Sequence, residues 1–240
     1  LNFGEKVDYL VASGSKIDVR ALAAPGLASM RAARKPIILI QICFLIFVVL
    51  YYAIPSWQSL PETIRSFREK WGLVFTLGSV WVASLVIPEI AALITRHERP
   101  KTSFAGLLVK LAYFGFIAIA VDTLYILLSQ QLGDKPSLGV VMAKIAFDML
   151  VFSPLLSMPV AALTFMWIDS GLNFAAMRKK LAEGDFWKRY FPTLVTCWMY
   201  FGPVTVALYS LPLALNFPVS MAAQAAWGLI ITSVGSRSVE

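Results

Sequence analysis

Residues 138–168 read LGVVMAKIAFDMLVFSPLLSMPVAALTFMWI. Apart from Lys144, Asp148 and scattered hydroxyls the run is apolar, and it exceeds the ~20 residues a helix needs to cross ~30 Å of hydrocarbon. No polar face recurs at helical spacing, so this is not the half-buried helix of a water-soluble core. It reads as a membrane-spanning helix interrupted at Pro154 and Pro159. Working outward, the same test finds spans at 36–54, 71–94 and 104–128. A last apolar tract, 192–232, is long enough to cross once or twice and is broken by Pro203, Pro212 and Pro218. The expected fold is all-α: a multi-pass transmembrane bundle of five to six membrane helices, kinked at proline.

Composition points the same way. Of 240 residues, 58% are hydrophobic and only 15% charged, against ~45–50% and ~25% in ordinary globular chains, and the mean hydropathy is +0.72. The net charge of +7 is no nucleic-acid signature, because the basic residues sit in short connections between apolar runs, where membrane topology places them. Cys43 and Cys197 both fall in apolar runs and read as small buried hydrophobes.

Several enzyme classes are excluded together. A single histidine, His97, cannot supply a di-iron cluster, a bis-His haem or an H-E-x-x-H zinc site. The G-x-S-x-G, P-loop and G-x-G-x-x-G patterns are absent from the sequence. No catalytic residue, metal ligand or cofactor is expected.

The chain begins at Leu1, as a processed or shortened chain would, and residues 1–35 lack the apolar stretch of a secretory signal. With Arg20, Arg31, Arg34 and Lys35 and no acid after Val19, this segment reads as a basic interfacial stretch or as an echo of an organellar presequence. Residues 36–69 form one span and its loop, and 70–240 the remaining bundle. If every span crosses, Arg31, Arg34, Lys35, Arg96, Arg99, Lys101, Arg178, Lys179, Lys180, Lys188 and Arg189 share one side. Arg65, Arg68, Lys70 and Lys135 fall on the other. Eleven against four puts the N-terminus on the cytoplasmic or matrix-like side.

Five ionisable residues lie within the spans: Glu89, Lys110, Asp122, Lys144 and, deepest, Asp148. Each costs ~2.5–3.5 kcal/mol on insertion scales and therefore faces protein or water. In antiparallel neighbours, Glu89 is level with Lys110, and Asp122 with Lys144. The residues either pair to hold the bundle together or line a polar path. Asp148 has Lys144 one helical turn before it as a further candidate partner.

The pattern Lys144-x-x-x-Asp148-x-x-x-Phe152-x-Pro154 resembles a segment of the family that includes Mpv-seventeen and the 22-kDa peroxisomal membrane protein. Phe191-Pro192, Pro203, Pro212 and Trp227 follow in that family's order. The resemblance covers roughly 70–231, and its spacing matches only in the second half. It departs at Met149, Gly202, Ala207-Leu208 and Asn216, where the family carries Gln, Trp, Asn-Phe and Arg. Pro88-Glu89 stands where the family has an Asp and a Gln. The resemblance implies a non-enzymatic organellar membrane protein with channel-like passage of small solutes. The mitochondrial inner membrane is the first expectation; a peroxisomal, plastid or bacterial inner membrane is the alternative. The competing class is a structural accessory subunit at the edge of a large bioenergetic complex. The partners expected are the lipid bilayer and either other membrane subunits or further copies of the chain.

Overall fold

The structure is a computed structural model that describes residues 24, 26–28, 30, 31, 34–94 and 103–235. Most of the basic segment 1–35, and the connection holding Arg96, His97, Arg99 and Lys101, lie outside the described residues. Helix starts follow local chemistry. The side chains of Ser103, Ser137 and Asn173 accept backbone N–H bonds from Gly106, Val140 and the Ala175–Ala176 pair, which satisfies donors that a helix leaves orphaned at its first turn.

The elements in chain order are α1 (Arg34–Ala53), a 3-10 turn (Pro55–Ser59), α2 (Leu60–Trp81), a π-helical turn (Val82–Val86) and α3 (Ile87–Ile94). After them come α4 (Phe104–Leu132), α5 (Leu138–Phe147), a π-helical stretch (Asp148–Ser157) and α6 (Met158–Asp169). The short α7 (Phe174–Ala182) leads to α8 (Asp185–Tyr209) and α9 (Leu213–Gly235). Four continuous helical runs, 55–90, 104–132, 138–169 and 185–209, are long and apolar enough to cross a membrane, and 37–53 is a shorter apolar helix. The protein is an all-α helical membrane bundle. The 192–232 tract forms two helices that turn at Ser210–Pro212.

Helices α8 and α9 occupy the centre. α8 packs on α1, α5, α6 and α9, while α9 packs on α2, α3 and α4. Tyr200, Val204, Ala207, Leu208, Phe217 and Ala223, almost without exposure, form this spine. The outer helices turn Ile38, Leu39, Val49, Leu73, Val74, Leu93 and Leu155 outward, as lipid-facing surfaces require. Two sequence expectations need correction here. Cys43 is exposed rather than buried. Arg65, Arg68 and Lys70 belong to no loop: α2 begins at Leu60 and carries them. The charged and apolar halves of α2 meet at Gly72, whose φ of 48° and ψ of −127° break the helix path and suit glycine alone.

Proline shapes the bundle through the carbonyls it frees. In an α-helix Pro154 would orphan the Leu150 carbonyl, and Pro159 that of Leu155. The helix widens to π spacing over Asp148–Ser157 instead, which moves each orphan one residue back, to Met149 and Pro154. Both are satisfied from α8. The Trp198 indole N–H donates to Met149 O at 2.7 Å, and the Tyr190 hydroxyl to Pro154 O at 2.9 Å. Pro203, inside α8, frees Met199 O, which accepts from the Gln41 amide of α1 at 3.1 Å. The breaks at Pro154, Pro159 and Pro203 are each tied to a neighbouring helix, which fixes how those helices are rotated against one another.

Candidate functional site

Three connections come together at one end of the bundle, near Tyr52, Asp134–Pro136 and Pro212–Ala214, around a cleft of about 530 Å³. Its charged lining is Arg65, Arg68, Glu69, Asp122 and Asp134; Gly72 and the buried Thr76 line it too. One terminal nitrogen of Arg68 binds the Asp122 carboxylate at 2.5 Å. The guanidinium also lies 5.7 Å from the Phe217 ring centroid, close enough for a cation–π contact. A carboxylate and an aromatic face together hold it in place, while its remaining N–H donors form a fork of fixed geometry. Side-chain exposures of 23% for Arg68 and 15% for Asp122 leave the pair in contact with the cleft. Beside it the buried Lys144 ammonium stands 3.9 Å from the exposed Asp134 carboxylate.

Tyr125, three residues after Asp122 on α4, is buried. Its ring meets that of Tyr209 edge-on at 5.7 Å. The Tyr209 hydroxyl donates to Asp148 at 2.8 Å. Asp148 is 7% exposed, and this partner is a neutral donor. The wide turn that begins at Asp148 belongs to the same Pro154 device that positions Trp198. Asn216 closes the α8–α9 turn: with its amide oriented to satisfy both groups, its nitrogen donates to Leu208 O at 2.9 Å and Pro212 O at 3.2 Å.

The sequence-selected residues separate accordingly. Asp122 and Lys144 do not form the expected pair. Depth matching leaves rotation about the helix axis open; Asp122 turns to α2 and Arg68, and Lys144 turns to Asp134. Nor does Lys144 hold Asp148, whose place is taken by Tyr209. Glu89 is exposed on α3 and Lys110 half-buried on α4, and both take part in interactions. Pro154 lies inside the π stretch, Pro159 opens α6, Pro203 lies inside α8 and Pro212 sits in the α8–α9 turn.

Residues the sequence reading passed over prove central: Arg68, Tyr125, Tyr209, Trp198, Tyr190 and Gln41. Gln41 carried a signal, as the one amide inside the 36–54 span. Among the described residues, no group of three His, Cys, Asp or Glu side chains could hold a metal ion. The chain matches no protein-family model, no curated protein and no solved structure.

Proposed function

We propose that this chain is a non-enzymatic membrane protein that takes small polar solutes into its end cleft and lets them pass in channel-like fashion. The observation that carries the reading is the 530 Å³ cleft lined by charges of both signs at the end of an apolar bundle. Its size falls in the ~300–1,000 Å³ range of ligand sites. The resemblance to the Mpv-seventeen family supports the same reading and, together with the basic connections between the spans, favours the mitochondrial inner membrane over peroxisomal, plastid or bacterial membranes. The test is uptake of labelled small polar solutes by vesicles containing the purified chain. Flux above that of empty vesicles, abolished by a bulky Thr76→Trp plug, is the expected result; flux equal to empty vesicles contradicts it.

A second reading, a structural accessory subunit, is favoured by one observation: Asp122 and Asp148 are both engaged within the chain. Migration after mild solubilisation separates the two. A band near the chain's own 26.5 kDa, or a small oligomer, supports passage, and a megadalton band the subunit.

A further inference from the structure

We infer that the ligand of the end cleft is a small zwitterion, with its anionic group on Arg68 and its ammonium towards Glu69 and Asp134; this rests on the cleft being a solute site, as proposed above. The lining decides the sign. Two guanidiniums and three carboxylates face one space: Arg65, Arg68, Glu69, Asp122 and Asp134. A simple anion would meet unfavourable carboxylates, and a simple cation unfavourable guanidiniums. A solute carrying both charges satisfies both sets at once, and like-charge juxtaposition rejects the others.

Arg68 is the fixed anion receptor. Its bond to Asp122 runs from one terminal nitrogen, so the rest of its donor fork is available for a second carboxylate or a phosphate. Arg65 is more exposed and is held by Glu62 at 3.3 Å on its own helix, which makes it a weaker anchor. On the acidic side, Asp134 is largely exposed and its contact with Lys144 is long, and Glu69 is exposed at the mouth. These two are placed to receive an ammonium, while Asp122 positions Arg68. The Gly72 break adds room: nothing lies within 4 Å of where its Cβ would stand.

An anionic group beside an ammonium is the chemistry both of a free amino acid and of a phosphatidylethanolamine headgroup, and the test separates the two. Full-length chain in detergent is titrated calorimetrically with L-alanine, propionate and ethylamine. Alanine should bind at least ten-fold more tightly than either single-charge analogue. Arg68→Gln should remove that advantage, and Arg68→Lys should restore part of it. Propionate or ethylamine binding as tightly as alanine would overturn the inference, even if vesicles conduct solute. Conversely, the alanine preference without flux would leave the inference standing and remove the passage reading. In nanodiscs, alanine affinity unchanged by phosphatidylethanolamine identifies a free solute as the ligand. A ten-fold loss there, against phosphatidylglycerol, identifies the lipid headgroup on the same charged groups.

Discussion

Asp122 at the cleft and Asp148 in the interior are two carboxyls of one bundle treated in opposite ways. The first has an arginine and an open face. The second has a tyrosine, and almost no exposure. A charge close to water keeps most of its solvation and gains from a cation that a ligand can share. A polar group deep in the bundle has to find its hydrogen bonds inside the protein, and losing one leaves it unsatisfied. The chemistry that can meet a solute is therefore concentrated at the cleft, whereas Asp148 organises the helices.

The contrast breaks or sharpens under substitution. The largest effect is expected from Asp148→Ala, which strands the Tyr209 hydroxyl and opens a small void; about 3 kcal/mol should be lost. Denaturant-induced unfolding in micelles would show it, and a loss below that of Arg68→Gln would erase the distinction. Trp198→Phe comes next. It orphans Met149 O and should cost about 1–2 kcal/mol. Because Pro154 creates that orphan, Pro154→Ala should make the Trp198 bond largely dispensable, and a double-mutant cycle should return a coupling of about 1 kcal/mol. A coupling near zero would mean that the wide turn does not depend on the proline. Arg68→Gln should destabilise by about 1 kcal/mol, since the pair is partly solvated, while sharply reducing alanine binding. The smallest change is expected from Glu62→Gln, which breaks an exposed pair and should shift stability by less than about 0.5 kcal/mol.

Much of the fold was legible because hydrocarbon thickness imposes itself on sequence. The spans at 104–128 and 138–168 fall within α4 and the α5–α6 run, and the start read at Trp71 adjoins the break at Gly72. Partner choice was not legible. Position along a helix follows from counting, but rotation depends on packing of distant elements, so depth paired Asp122 with Lys144 where the bundle pairs it with Arg68. The register of the Pro154 helix was hidden for a related reason. A proline fixes that one N–H is missing; whether the orphan falls four or five residues back is decided by Trp198 and Tyr190, donors that lie 49 and 36 residues away from their acceptors.

One comparison tests the division between cleft and interior most directly: solute flux and melting temperature measured together on Arg68→Gln and Asp148→Asn in the same vesicles. Arg68→Gln should lose most of the flux with a melting temperature close to that of the parent. Asp148→Asn should melt earlier, while the fraction that remains folded conducts with unchanged selectivity. Altered selectivity in Asp148→Asn at an unchanged melting temperature, with full flux in Arg68→Gln, would place the solute path at Asp148 and contradict the account.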